Sequence, residues 1–471
     1  MKDGSSIQRQ FDRTLVEGPL AGAVWKIAWP TVLQNIIGGL QGIVDQAMVG
    51  HYVGYTGNAA IGVSLQLFIL VIVFVASIFS GMGVLVARFA GAGEVAKLNR
   101  TVYQAFLAAV FMAVGILAPL GYYLAPTLLG MINAAPEVQV EALPYIRIMF
   151  VFSIGMLIFF MMGGALRSAG DARTPLQLGI IMTLLNIMLN VVLIRGFGPI
   201  PAFGTRGAAM GTVIASGCVA VMFLTMLFTG KLVIRFTRSM SFRPDWQIIR
   251  ELFRFGLPTG VQGIVMNLAG VLLLRFIGSL QYSAEAQAAF AVGDSELFSL
   301  VTWTSVGLMG ATAAVAGQNL GAGYPDRSAQ AARVAATIGV TMAAVVGALF
   351  LLIPRQLLAI FGMSEGVTFE LGRQLLAYLA ISGLFVTVAL TYTGGLQGTG
   401  DTRSPLYISI VSQFVVPIGM CTYIQAMHGL TPADIWLAIL LGHMSRALLS
   451  VLRFRQGKWR HIAVDIGSVQ V

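Results

Sequence analysis

Charged side chains are scarce in this sequence: Asp, Glu, Lys and Arg make up 10% of its 471 residues, against 57% hydrophobic ones. Soluble globular domains carry about 25% charged residues. This much apolar surface exceeds what a soluble fold can bury, so the chain is read as an integral membrane protein. Cysteine is reduced to Cys218 and Cys421, with no metal-ligand spacing around either. Both are read as small hydrophobes buried in apolar helices, with neither a disulfide framework nor a zinc site expected. There is no H-E-x-x-H, no G-x-x-x-x-G-K-[ST] loop and no polar stretch long enough for a nucleotide-hydrolysing domain. No enzymatic activity and no cofactor are expected, and any transport has to draw on an ion gradient.

What the chain has instead is long apolar runs. A helix needs about 20 residues to cross about 30 Å of hydrocarbon. Runs of that kind recur over 25–50, 58–87, 101–124, 139–167, 175–197, 207–229, 249–278, 287–318, 328–353, 369–397, 404–427 and 433–454. The fold class is therefore all-α, with twelve transmembrane helices. Charge in the loops tests the count. One side of the membrane collects 23 of the 29 basic residues, from Lys2, Arg9, Arg13 and Lys26 through Arg238 in the middle of the chain to Lys458 and Arg460. Arg147, Arg195, Arg206, Arg275, Arg355 and Arg373 are left for the other. The positive-inside rule then puts both termini in the cytoplasm. The net charge of +10 follows membrane side and forms no patch for nucleic acid. The polar first 24 residues precede an apolar run too long for a signal-peptide core, which is read as a retained first span. The expected organisation is a cytoplasmic segment 1–24, a six-helix half 25–229, a cytoplasmic linker 230–248, a second six-helix half 249–454 and a cytoplasmic tail 455–471.

Two decapeptides, SAGDARTPLQ (168–177) and GTGDTRSPLY (398–407), share Gly-Asp-x-Arg-(Thr/Ser)-Pro-Leu at an offset of 230 residues. Gly91-Ala92-Gly93 recurs at the same offset as Gly321-Ala322-Gly323, and PTVLQ (30–34) returns as PTGVQ (258–262). The chain is thus read as two homologous halves. Six spans bring each half back to its starting side, so the two run parallel, as two six-helix lobes around a central cleft suited to alternating access. Within the decapeptides, Gly170 and Gly400 stand where a helix ends in a left-handed residue. Thr174-Pro175 and Ser404-Pro405 read as an N-cap followed by proline at the first helical position, and Asp171 and Asp401 can cap backbone donors. The motif is read as a tight cytoplasmic helix-to-helix turn in preference to a transport element.

Polar residues found in one half only need a reason other than the fold. Asp45 is the first; its counterpart is Leu273. An ionised carboxylate in a spanning helix costs about 2.5–3.5 kcal/mol on insertion scales and marks an ion pathway; the alternative is that Asp45, near the outer end of its helix, simply reaches the interface. Gln34, Gly38, Gln41 and Asp45 fall on one helix face, as a cavity lining would. Thr183, Asn186 and Asn190 share a face of the fifth span, opposite Gln413, Val416 and Met420 in the second half. Their oxygens suit a small hard cation, or the amides serve as interhelical glue. In the second half Asp294 and Glu296 stand where the first has Ser64 and Gln66. Two apart on a helix, at most one lines a cleft while the other pairs, with Arg275 as candidate partner; binding of a cationic substrate and a structural ion pair are both open. Pro30 and Pro258 interrupt long helices, where a bend is either mechanical or tolerated. Gln34, Gln41, Gln262, Met266, Asp294 and Glu296 are the candidate cleft residues.

Several segments carry a family likeness in order: LVEGP before the first span, WPTVLQN and VDQAMVGHYVG in it, ARFAGAG after the second, LRSAGDARTP after the fourth, NIMLN in the fifth, then GQNLGAG and LQGTGDTRSP in the second half. Over essentially its whole length the chain resembles the multidrug and toxic compound extrusion (MATE) transporters. The resemblance implies two lobes around a V-shaped cleft and export of organic cations or amphipathic drugs in exchange for Na⁺ or H⁺. It makes Asp45 the cation-coupling carboxylate and the one place for a metal ion, Na⁺, with Asn186, Asn190 and Thr212 as supporting residues and Pro30 as the bending proline. Two departures stand out. Many relatives have Asp where this chain has Asn190. Another branch carries a seventh-helix Glu where this chain has Met266, which argues against a coupling site of that kind in the second half. The alternatives are a lipid-linked glycan flippase of the same broad superfamily, which should show more spans and a strongly basic cleft, and a receptor or scaffold that does not transport. A major-facilitator transporter should read G-x-x-x-D-R-x-G-R where this chain reads ARFAGAGEVAKLNR. The implied setting is a monomer in the lipid bilayer of the plasma membrane, a bacterial inner membrane, with both termini cytoplasmic.

Overall fold

The computed structural model describes residues 13–131, 135–237, 240, 243–464 and 466. Lys2, Arg9 and Arg238, counted above among the cytoplasmic charges, lie outside the described residues, as do parts of the expected N-terminal segment and C-terminal tail. The spanning helices are α1 (Leu20–Tyr52), α2 (Tyr55–Ala92), α3 (Val95–Met131), α4 (Pro136–Val151 and Ile154–Ser168), α5 (Arg173–Arg195), α6 (Thr205–Phe228), α7 (Trp246–Gly278), α8 (Ser283–Gly321), α9 (Pro325–Leu352), α10 (Gly366–Thr399), α11 (Arg403–Met427) and α12 (Pro432–Arg455). Among the described residues ten are long and apolar enough to cross a membrane, and the bent pair forming α4 is an eleventh. Helix α1 completes the twelve; Gln34, Asn35, Gln41, Asp45 and Gln46 lower its hydropathy, though its 33 residues exceed the length required.

The repeated decapeptides form the same turn twice. Gly170 (φ +100°) and Gly400 (φ +102°) are left-handed, and the next amides, of Asp171 and Asp401, donate back to the carbonyls of Leu166 and Leu396. Such a helix end favours glycine, because a Cβ is strained at positive φ. The following helix is capped by the aspartate and not by the hydroxyl residue expected. Asp171 Oδ1 accepts from the Thr174 amide at 3.0 Å and Asp401 Oδ1 from the Ser404 amide at 3.1 Å. Helix already begins at Arg173 and Arg403, so the hydroxyls are inside it, where they donate to the same carboxylates. Among the described residues only the second copy adds an ion pair, Arg453 to Asp401 at 2.9 Å.

Irregularities interrupt several spans. Helix α4 bends by 53° at Phe152–Ser153. Pro30 and Pro258, the expected bend points, lie inside continuous helices. Among the described residues four stretches are π-helical: Met112–Leu117, Leu120–Leu124, Ala291–Leu297 and Ile410–Val415. Pro119 and Pro417 explain two of these. Each lacks the N–H that would bond four residues back, to Gly115 and Gln413, so the ladder shifts register there. Ala291–Leu297 has no such proline; its Gly293 packs against Leu375. Cys421 is buried as expected, whereas Cys218, expected to be buried, is exposed on α6.

The chain forms two compact units. Among the described residues the first comprises 13, 33–257 and 466, the second 14–32 and 258–464. In the first unit, the segment after α6 is fastened to α3: Arg235 N donates to Asn99 Oδ1 (3.0 Å), Asp245 N to Gln104 Oε1 (3.0 Å), and Arg100 pairs with Asp245 (2.6 Å). Phe236 inserts among Tyr103, Phe106 and Phe228. The core of the second unit gathers Ile277, Phe298, Leu375, Leu379 and Trp436. Its helices α8 and α10 cross closely where Gly394 and Gly398 meet the backbone of Met309 and Ala313, a small-xxx-small contact. The unit also takes in the start of the chain. Asn319 Nδ2 donates to Leu15 O (3.1 Å) and Arg327 Nη2 to Gly18 O (2.7 Å), while Leu15 is fully buried.

Candidate functional site

Asp45 sits within a polar network made by three helices of the first unit. Asp45 Oδ1 accepts from Asn190 Nδ2 at 2.7 Å. Asn186 and Asn190 have no exposed surface, and the spacing of four residues turns both toward the same neighbours. Asn190 Nδ2 also approaches Asn186 Oδ1 at 3.3 Å, and Asn186 Nδ2 donates to Thr212 Oγ1 on α6 at 3.1 Å. Turned over, the Asn186 amide donates to Asp45 Oδ1 at 2.9 Å and accepts from Thr212 Oγ1 at 3.1 Å, so either orientation joins Asn186 to this cluster. One turn before Asp45, Gln41 accepts from Thr183 Oγ1 at 2.8 Å. Gly211 leaves room for the network, because a Cβ there would collide with Asn190 Oδ1. That oxygen is buried and, among the described residues, has no hydrogen-bond donor.

The cluster is thus one carboxylate among neutral amide and hydroxyl groups. These are hard oxygen donors of the kind that hold Na⁺, and the unsatisfied Asn190 oxygen is an acceptor with nothing to accept. Among the described residues no group of three or more His, Cys, Asp or Glu could hold a metal ion. A cation here would rest on Asp45 plus neutral oxygens.

Gln34 and Gln262, equivalent in the repeat, meet equivalent partners of different charge. Arg167 Nη1 donates to Gln34 Oε1 at 3.3 Å; Gln397, 230 residues after Arg167, donates to Gln262 Oε1 at 3.2 Å. Gln262 is also tied to Ser409 Oγ at 2.8 Å, where the first unit has Gly179 against Gln34. Gln262 is buried and works as interhelical glue.

Met266 and Asp294 line a cavity of ≈ 190 Å³ inside the second unit, together with Gln413 and His443. Glu296 is exposed and does not line it. Neither acid pairs with Arg275 among the described residues; Glu296, on the helix surface, needs no protein partner. His443 carries no signal in the sequence, because one imidazole on an apolar helix has no spacing pattern, and Gln413 stands out there only as the counterpart of Thr183.

A polytopic all-α membrane protein built by duplication, with a side-chain-held carboxylate in its first unit, has the architecture of an integral membrane transporter. The sequence profile of the MatE family matches twice, over residues 30–192 and 258–422, and the chain belongs to that family. It is 27% identical over 443 residues to the "Probable multidrug resistance protein NorM" of Thermotoga maritima, covering 93% of each chain. It is 26% identical over 441 residues to the "Multidrug resistance protein MdtK" of Pectobacterium atrosepticum, covering 91% of this chain and 94% of that one. Its fold matches a solved structure described as the outward-facing conformation of a multidrug resistance MATE family transporter, with a TM-score of 0.85 at 22% identity over 94% of this chain and 97% of the other.

Proposed function

We propose that the chain is an ion-coupled antiporter that exports organic cations or amphipathic drugs in exchange for Na⁺ or H⁺, with Asp45 holding the coupling ion. The observation that carries this is a carboxylate whose counterpart in the second half is Leu273, hydrogen-bonded to buried Asn190 beside an acceptor oxygen that has no donor among the described residues. Family membership and relatives named as multidrug resistance proteins support the direction and the substrate class. Asp45 with Na⁺ or a proton bound is neutralised; without it, the charge lies beside amides that can only partly compensate it. A group that alternates in this way biases a two-state equilibrium by the difference in its surroundings. Asn186, Asn190 and Thr212 position the carboxylate, and Pro30, lower on the same helix, is where α1 yields when the charge changes. The protein works as a monomer in the bacterial inner membrane with both termini cytoplasmic.

Proteoliposomes loaded with a fluorescent organic cation, under an imposed Na⁺ or pH gradient, test this. Wild type releases dye under one of the gradients, and Asp45→Asn, which keeps the shape and loses the charge, abolishes gradient-driven release. Equal release from both proteins would remove Asp45 from the coupling role.

A further inference from the structure

We propose that a groove in the second unit, walled by α8 and α9 and floored by α10, holds one hydrocarbon chain of a bilayer lipid. The proposal does not depend on the export reading, and the groove shares no lining residue with the cavity at Asp294. Its volume is ≈ 280 Å³, and it follows from how α9 sits. Gly339, Ala343 and Gly347, four residues apart, form one face of α9 and let it lie directly on α10. A Cβ at Gly339 would strike Thr387, one at Gly347 would come within 3.0 Å of the Ala380 carbonyl oxygen, and one at Gly383 would meet Ala343. With α9 seated on α10, Leu300 and Thr304 of α8 are left as one wall and Met342 and Val346 of α9 as the other, with buried Thr387 beneath. Leu300 and Val345 at the rim are 46% and 60% exposed.

Three features of the lining decide what fills it. The first is its place along the spans. No charged residue lies between Glu296 and Asp326, between Arg333 and Arg355 or between Arg373 and Asp401, so the groove falls within stretches long enough to cross the hydrocarbon layer on all three helices. The second is that its hydroxyls are already engaged. Thr304 Oγ1 donates to Leu300 O at 2.8 Å and Thr341 Oγ1 to Thr337 O at 3.0 Å, while Ser305 and Thr387 bond each other at 2.8 Å and Thr387 donates to Gly383 O at 2.9 Å. A buried water needs about two to four polar partners, and a polar solute loses its hydration without gaining one here. The third is size. From Gly339 to Val346 the α9 wall runs about 10 Å, at about 1.5 Å per residue. A partner helix, about 10–12 Å across with its side chains, would bridge the rim and leave the inside empty. A chain of methylenes enters and recovers the dispersion contacts that bare walls forfeit.

The test is native mass spectrometry of full-length protein taken from membranes of equimolar phosphatidylcholine, phosphatidylethanolamine and phosphatidylglycerol and delipidated stepwise in detergent. The last lipid held by wild type is expected from all three head-group classes in proportion to their supply, because the groove contacts the chain. Val346→Phe from α9 and Thr304→Phe from α8 each place a ring in the groove, and each variant holds one lipid fewer than wild type at the same detergent load. Ala348→Phe, on the exposed side of α9 and outside the groove, keeps the wild-type count. A single size-exclusion peak and a thermal midpoint near wild type accompany the loss, which separates a filled groove from a misfolded protein. A wild-type lipid count in both filled variants, or no lipid held by wild type, overturns the proposal. A last lipid that is phosphatidylglycerol alone overturns it as well, since that selectivity belongs to a head-group site. The wild-type measurement stands without any variant.

Discussion

In the coupling role proposed for Asp45, a carboxylate inside a membrane helix needs partners that remain acceptable when its charge comes and goes. Asp45 has them in Asn190, whose amide donates to it, and in Asn186, whose amide does so when turned over; both lose little beside a neutral acid. The arrangement predicts what a second acid would do. Asn190→Asp puts two carboxylates within a hydrogen bond of each other, where they cannot both stay ionised without a counter-ion. Efflux by that variant should become strongly dependent on Na⁺, read as a rise of about tenfold or more in activity between Na⁺-free and Na⁺-containing buffer; Na⁺-independent efflux at the wild-type rate would argue that position 190 is remote from the ion. Much of this site was legible beforehand, because Gln41, Asp45, Asn186 and Asn190 stand where the other half has Ala269, Leu273, Val416 and Met420, and helical spacing places each set on one face. The solitary groups were not legible. His443 and the orphaned Asn190 oxygen acquire meaning from what does or does not approach them in space, and no periodicity encodes that.

Among elements, apolar runs locate a helix but say little about its interior. Each of the twelve expected spans corresponds to a helix or, for α4, to a bent pair of helices, because about 20 apolar residues admit no other structure in hydrocarbon. The 53° bend at Phe152–Ser153 has no proline at the break, and the π turn at Ala291–Leu297 none within reach, so both were invisible to a search for prolines. Close crossings are equally silent until two helices are seen together. Gly394 and Gly398 are spaced to let α8 lie directly on α10. A side chain at Gly398 would drive into the backbone of Ala313, so Gly398→Leu should destabilise the second unit by about 1–3 kcal/mol or more, the usual cost of overpacking. The check is a lowered thermal midpoint of the purified protein in detergent, with Gly419→Leu, where a Cβ meets nothing, as the control that stays near wild type.

At the level of the whole molecule, the duplication visible in the sequence is not the division that packing makes. The family profile restarts at residue 258, and so does the second unit, yet that unit also claims 14–32. Asn319 and Arg327 bind the carbonyls of Leu15 and Gly18, and Gly307 lies against Val32. Expressing residues 246–471 alone should therefore give an aggregating product, recovered as folded protein only on co-expression with residues 1–245, as read by size-exclusion chromatography of the tagged fragment. A monodisperse fragment 246–471 would show that the early segment is dispensable. During synthesis the ribosome delivers residues 14–32 more than two hundred residues before the helices they belong with. The opening of this chain has to wait in the membrane, unfinished, until its other half is made, and that interval is when a translocon or chaperone has the most to protect.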